Sequence, residues 1–215
     1  MRKVPGSTIS RLSVYLRLLD ESGSEGVATV SSVELARRAG TTAAQVRKDL
    51  SFFGTFGKRG RGYSVAELSA ALRSILGLER GWRVALVGAG QVGRALLGYE
   101  DFRRRGFVIE AVFDADPRKV GQRCNGLEVQ AAERLEAVLA GGIDIAILAV
   151  PVAAAQQVAE RVVSTGVRAI LNFAPVPLRL PADVALKTVN MALELESLSY
   201  ALASAPSARA ARREE

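Results

Sequence analysis

A hydrophobic strand runs straight into a glycine-rich turn: Arg83-Val84-Ala85-Leu86-Val87, then Gly88-Ala89-Gly90-Gln91-Val92-Gly93. A second apolar run, Phe107 to Phe113, ends in Asp114, 21 residues past Gly93. Strand, three glycines, helix, strand, acid is the order of a dinucleotide site. Gly88 permits the tight turn, Gly90 lets backbone approach a pyrophosphate, and Gly93 lets helix and strand pack closely. Ala89, Gln91 and Val92 complete the phosphate-facing backbone, and the first turn of the helix offers N–H groups and a positive dipole end. An acid at the second strand's end accepts bonds from the adenosine ribose hydroxyls and repels a 2′-phosphate. Asp114 therefore points to NAD, as NAD⁺ or NADH, rather than NADP. The bland alternative is a tight βα turn that binds nothing.

Composition narrows the chemistry. The chain has no histidine, which removes the usual general base and the commonest metal ligand, so no metal site is expected. Its one cysteine, Cys124, closes no internal disulfide, which fits a reducing compartment. The N-terminus does not resemble a signal peptide. The longest apolar stretch, Ile145 to Ala155, has 11 residues and contains Pro151, too short to span a bilayer. The chain reads as soluble and cytoplasmic.

Charge is uneven. Residues 1–80 carry 13 Lys+Arg against 7 Asp+Glu, and residues 81–215 carry 16 against 15, so nearly all of the net +7 lies in the first third. A basic module joined to a near-neutral one implies a polyanion partner for the first. Ile9, Leu12, Tyr15, Leu16 and Leu19 recur at helical spacing, predicting a helix over 8–20. Ser31 and Glu34, then Thr42 and Gln45, are capping-box pairs opening two short helices that turn at Gly40. This is a helix-turn-helix pattern. Val46 and Leu50 face a core, which leaves Gln45, Arg47, Lys48 and Ser51 for base edges and phosphates. Gly54 to Tyr63 holds four glycines with Lys58, Arg59 and Arg61, and is expected to form a β-hairpin wing beside a nucleic acid backbone. A solvated basic loop is the alternative. Ser64 to Glu67 caps a fourth helix ending at Gly77, and Leu78 to Trp82 forms the junction.

The remainder alternates strand and helix, predicting a doubly wound, Rossmann-like parallel sheet over 81–189. Ile143 to Val150 is a buried strand, Pro151 opens a helix to Thr165, and Val167 to Leu171 leads into Asn172-Phe173-Ala174-Pro175. Ligands in such sheets bind beyond the strands' carboxyl ends. The Val150-Pro151 corner and the Asn172-Phe173-Ala174 corner therefore join the glycine turn and Asp114 around one crevice. Lys119 lies in the polar loop 116–121, near the adenosine. Asn190 caps a last helix over 190–203, with an apolar stripe at Met191, Leu195, Leu198 and Leu202 and further apolar residues at Leu193 and Tyr200. It docks on its own sheet or inserts into a partner subunit. The tail, 204–215, is expected to be disordered.

The segments Gln45 to Gly54, Gly60 to Tyr63, Gly88 to Gly93, Phe113 to Pro117, Val150-Pro151, Asn172 to Pro175 and Glu194-Leu195 resemble the Rex family of redox-sensing transcriptional repressors. The likeness covers about residues 4–203. It implies a homodimer with an N-terminal winged-helix domain over 1–80, a Rossmann domain and a swapped C-terminal helix. It also implies binding to a palindromic DNA operator and release when NADH displaces NAD⁺. Carried over, Arg47, Lys48 and Ser51 lie on the recognition helix, with Lys58, Arg59 and Arg61 in the wing. Met191 encloses the nicotinamide, and Arg17 and Tyr99 match positions linked to the switch. This chain departs from the family at Asn190, where an acid is usual: Asn can bond to Tyr99 but forms no ion pair with Arg17. The rival reading is an NAD-dependent oxidoreductase with an accessory basic domain. It lacks a histidine, a Tyr-x-x-x-Lys pair and a substrate domain. A third reading gives the sheet another adenine-containing effector such as coenzyme A, against which Asp114 argues.

Overall fold

The computed structural model describes residues 4–57 and 61–204. The chain divides into two compact units, Met1–Arg80 and Gly81–Glu215.

The first unit is helical. Helices α1 (Gly6–Ser24), α2 (Ser32–Arg38), α3 (Ala43–Ser51) and α4 (Val65–Ile75) surround a core of Leu12, Tyr15, Leu16, Leu19, Leu35, Val46, Leu50, Leu68 and Leu72. Three side-chain N-caps set the helix starts. Ser31, Thr42 and Ser64 accept from the backbone N–H of Glu34, Gln45 and Glu67, each satisfying one of the donors a helix start leaves free. Gly40 turns α2 into α3 at φ +65°, a conformation that suits glycine. Ile9, expected on the buried stripe, is exposed instead. Thr8 is buried in its place because its hydroxyl donates to Asp49.

The expected hairpin is corrected. Tyr63–Ser64 (β2) pairs antiparallel with Thr29–Val30 (β1), from between α1 and α2, not with the Gly54 arm. The glycines serve a loop. A Cβ on Gly57 would strike the Gly62 carbonyl, and one on Gly62 the Val30 carbonyl, so backbone closes on backbone there. A glycine-rich arm has few side chains to pair across a ladder, whereas Val30 and Tyr63 are partners that bury their side chains together. Lys58 and Arg59 lie outside the described residues.

The second unit is a parallel sheet, as the alternation predicts. Its strands are β3 (Trp82–Val87), β4 (Phe107–Asp114), β5 (Arg123–Cys124), β6 (Leu127–Ala131), β7 (Ile145–Leu148), β8 (Ala169–Asn172) and β9 (Ala185–Thr188), in the order β5-β6-β4-β3-β7-β8-β9. All neighbours are parallel except β5 and β6. On β3, Val84 and Leu86 pack into one core while Ala85 and Val87 pack into another. Apolar residues at every step of the strand are what burial on both faces requires. The helices are α5 (Gln91–Leu97), α6 (Glu100–Arg104), α7 (Leu135–Leu139), α8 (Val152–Ser164) and α9 (Met191–Ser204). The hairpin β5–β6 and the five-residue α6 have no counterpart in the sequence reading. Helix α9 buries none of its residues, and the tail beyond Ser204 lies outside the described residues.

Candidate functional site

Strand β3 connects to β4 on one side and is flanked by β7 on the other. Connections diverge there, which opens a crevice at the carboxyl ends. The turns are locked together by backbone contact. Gly88 has φ +103°, and a Cβ on it would collide with the Ala149 carbonyl beyond β7. A Cβ on Gly93 would collide with the Gly88 carbonyl, so α5 lies directly against the turn. Gly90 differs: nothing lies within 4 Å of where its Cβ would be, and its backbone is extended. The space in front of Gly90 is therefore open, as close approach of a pyrophosphate requires.

Asp114 stands across this turn. Its Oδ2 accepts from Ala89 N–H at 2.8 Å and from Lys119 Nζ at 2.9 Å, and its Oδ1 accepts from Asp116 N–H at 2.8 Å. Burial pushes its carboxyl up, but the bonds from Asp116, Lys119 and Ala89 outweigh that and hold it below the usual value. A carboxylate has about four acceptor sites, and three are taken. Lys119 is the donor that can swing away, since the other two are backbone. Arg94 on α5 also reaches back, with Nε 3.3 Å from the Ala89 carbonyl.

The other lip is built at β7 and β8. Phe173 N–H donates to the Leu148 carbonyl at 2.8 Å, so the Phe173-Ala174 corner is tied to the strand that precedes Val150 and Pro151. Asn172, which the sequence places in this corner, turns out to be its support. Fully buried, it donates to the carbonyls of Ala174 and Val176 and accepts from Ala174 N–H, shaping the corner from beneath. A polar residue closing an apolar strand was the available signal. Val189 N–H donates to the Asn172 carbonyl, so α9 departs from this same edge. Met191 is exposed, and the single chain does not seat it against the two corners. Asn190 Oδ1 accepts from Ala192 N–H, as an N-cap does, and the described residues hold no Tyr99–Asn190 bond. Tyr99 is exposed with its ring edge-on to Phe102, and Arg17 is exposed beside Glu21 in the other unit.

In the first unit α3 presents Arg47, Lys48 and Ser51 outward, with Arg61 exposed after the loop. Arg47 Nη1 donates to Ser32 Oγ at 2.9 Å, and Ser51 Oγ to the Lys48 carbonyl at 2.7 Å. Gln45 is half-buried, and its Nε2 donates to Asp49 Oδ1 at 2.8 Å. Asp49, which sequence reasoning passed over, is fully buried and also accepts from Thr8, Arg11 and Tyr15. Its helical phase with Val46 and Leu50 was the signal. Among the described residues no group of three His, Cys, Asp or Glu stands ready for a metal, and no helix is long and apolar enough to cross a membrane.

Comparison with known proteins covers both units. The family described as "CoA binding domain" matches residues 79–176, and that described as "Putative DNA-binding protein N-terminus" matches residues 3–51. The redox-sensing transcriptional repressor Rex of Desulfitobacterium hafniense is 48% identical over 199 residues, 92% of this chain and 95% of its own. The crystal structure of RSP in complex with beta-NAD⁺ and operator DNA superposes with a TM-score of 0.89 at 40% identity, over 94% of each chain. That of RSP in complex with beta-NADH gives 0.85 at 38%, over 94% of this chain and 95% of the other. Near-half identity along almost the whole length, on one fold, means that this chain belongs to the Rex family of redox-sensing transcriptional repressors.

Proposed function

We propose that the chain is a homodimeric, cytoplasmic repressor that binds a palindromic operator and leaves it when NADH replaces NAD⁺. One observation carries the reading. RSP, which matches over 94% of this chain, has been crystallised both with beta-NAD⁺ plus operator DNA and with beta-NADH. The geometry supports it in each unit. In the crevice, the open space before Gly90 admits a pyrophosphate, and Gly90 to Gly93, at the start of α5, supply the N–H groups that hold it, those of Gly88 and Ala89 being spent on the Phe113 carbonyl and Asp114. Asp114 accepts from the adenosine ribose once Lys119 moves aside. Val150, Pro151, Phe173 and Ala174 enclose the nicotinamide, with Met191 contributed by the partner. On the other unit Arg47, Lys48 and Ser51, with Lys58, Arg59 and Arg61, meet the duplex.

The bound dinucleotide supplies a ring that is charged when oxidised and neutral when reduced. An apolar enclosure favours the neutral ring, since burying charge is costly. That difference in affinity is what shifts the protein between two arrangements. An oxidoreductase needs a proton-carrying group at the nicotinamide. A chain without histidine, whose corners there are Pro151, Phe173 and Ala174, offers none of the ordinary ones, so the proposal is a sensor and not an enzyme. A coenzyme A effector fits less well, because its ribose carries a phosphate where Asp114 accepts a hydroxyl.

The test is an operator-shift titration with NAD⁺, NADH, NADP⁺ and NADPH on a duplex selected from a random pool. Release by NADH at concentrations where NADPH leaves the complex intact is expected. Equal release by all four, or steady NADH oxidation with a panel of carbonyl compounds, would sink the proposal.

A further inference from the structure

The amide of Gln45 is not free to choose its orientation. Asp49, four residues on along α3, is wholly buried and takes hydrogen bonds from Thr8, Arg11, Tyr15 and Gln45. Burial pushes the Asp49 carboxyl up, but the bonds from Arg11, Gln45 and Tyr15 prevail and keep it below the ordinary range, hence ionised at neutral pH. An ionised carboxylate only accepts. Gln45 must therefore turn its NH₂ inward, where one N–H is spent on Asp49, and its Oε1 is left to accept from elsewhere. That oxygen accepts no bond among the described residues, and no half-buried side chain there has a sealed-off oxygen without a partner. Oε1 is thus open to solvent, in the first turn of the helix, where recognition helices present side chains to base edges.

We propose that Gln45 reads an exocyclic base amine, adenine N6 or cytosine N4, as an acceptor whose orientation the buried Asp49 carboxylate imposes. This rests on the DNA-binding reading of α3. A carbonyl oxygen facing the major groove meets a donor only at those two amines; guanine O6 and thymine O4 are themselves acceptors. Asp49 is the positioning residue, and Gln45 makes the contact. The clamp spans three places on α1, at Thr8, Arg11 and Tyr15, so the amide is held by a helix outside the groove. A glutamine free to flip would tolerate either kind of edge.

The experiment uses the full-length protein and an operator selected from random duplex DNA. Each adenine is replaced in turn by purine, which lacks N6, and each cytosine by 2-pyrimidinone, which lacks N4. One position per half-site should lose about tenfold in affinity, the worth of one well-made hydrogen bond, and the analogue responsible identifies the base. Gln45→Met, which removes the contact from both half-sites, should bind natural operator about a hundredfold more weakly and show no further loss from that analogue. The two losses then fail to add, as groups in contact do. Asp49→Asn should flatten the preference at that base pair and leave the salt slope, which counts phosphate contacts, unchanged. If Asp49→Asn does not fold, the Gln45→Met cycle decides alone. Analogue and Gln45→Met losses that add at every position overturn the contact while the protein still selects an operator. Failure to select any duplex overturns the DNA reading, and this inference with it.

Discussion

Asp49 and Asp114 are both withdrawn from water and both kept ionised by donors, so each ties stability or binding to pH and to its partners. The folded Asp49 carboxyl lies below its ordinary value. Its contribution is therefore present above the unfolded carboxylate range, near pH 4, and lost as pH falls through the folded value. Melting temperature should drop as pH is lowered from 5 toward 3, and less steeply in Asp49→Asn. At pH 7 Asp49→Ala should cost about 3 kcal/mol, since it leaves Tyr15 and Arg11 without their acceptor. Thermal melts between pH 5 and 3 check the first and denaturant melts at pH 7 the second, and a pH dependence identical to wild type in Asp49→Asn would remove Asp49 from the account. At Asp114 the Lys119 ammonium 2.9 Å away offsets the negative charge. Discrimination against a 2′-phosphate then depends on lost ribose bonds as much as on repulsion. Asp114→Ala should weaken NADH about tenfold and strengthen NADPH, because Lys119 is left facing the phosphate. Lys119→Ala should widen the gap instead, and calorimetric titration with both nucleotides reads the sign of each. The pairings themselves were not legible in the sequence. The phase of Asp49 with Val46 and Leu50 signals its burial, but only the three-dimensional approach of α1 reveals what it accepts.

At the scale of elements the strands were legible because parallel strands buried on two faces are apolar at every step, and Ile145 to Val150 has that character. Caps were legible because Ser or Thr three residues ahead of Glu or Gln has a single local cause. The hairpin β5–β6 was not. Arg123-Cys124 is two residues long, and Leu127 to Ala131 alternates with Glu and Gln at a sheet edge. The wing failed for a different reason. Glycines signal an unusual backbone but not which strand pairs with which, and the partner of Tyr63 lies more than thirty residues away at Val30. The glycine turn makes a prediction that separates fold from ligand. Gly93→Ala drives a methyl into the Gly88 carbonyl, and because both atoms belong to backbone, the βα turn must open. It should lower the melting temperature and abolish NADH binding together. Gly90→Ala meets nothing and needs no unusual φ. It should melt as wild type, or slightly above, and still lose NADH affinity at least tenfold if a pyrophosphate sits there. A Gly90→Ala protein with intact NADH binding would show that the open space is not the phosphate site.

For the whole molecule, helix α9 is the feature one chain does not explain. Met191, Leu193, Leu195, Leu198, Tyr200 and Leu202 are each more than half exposed, and they cover more than one side of the helix. Fourteen residues make a rod of roughly 21 Å, too much apolar surface to leave in water. Docking on its own sheet is not what the chain does; a partner subunit is the covering that the Rex family reading supplies. Truncation after Val189 should therefore yield a monomer on sedimentation, with the glycine turn intact and NADH still bound, though less tightly for want of Met191. Asn190 allows a finer test of the switch. Its Oδ1 caps the helix by accepting from Ala192 N–H, and an aspartate caps equally well. Asn190→Asp thus changes charge while keeping the helix start. If the arrangement lacking NADH is held by Arg17 against this position, the added carboxylate restores an ion pair that the chain has lost. That arrangement then gains stability, and a ligand must overcome the gain to shift the population. The NADH concentration at half-release of operator should rise several-fold, with NADH affinity in the absence of DNA falling in step. Arg17→Ala in the same background should return the midpoint to that of wild type. A midpoint unmoved by Asn190→Asp, or moved equally without Arg17, would leave α9 as a dimerisation element with no part in sensing.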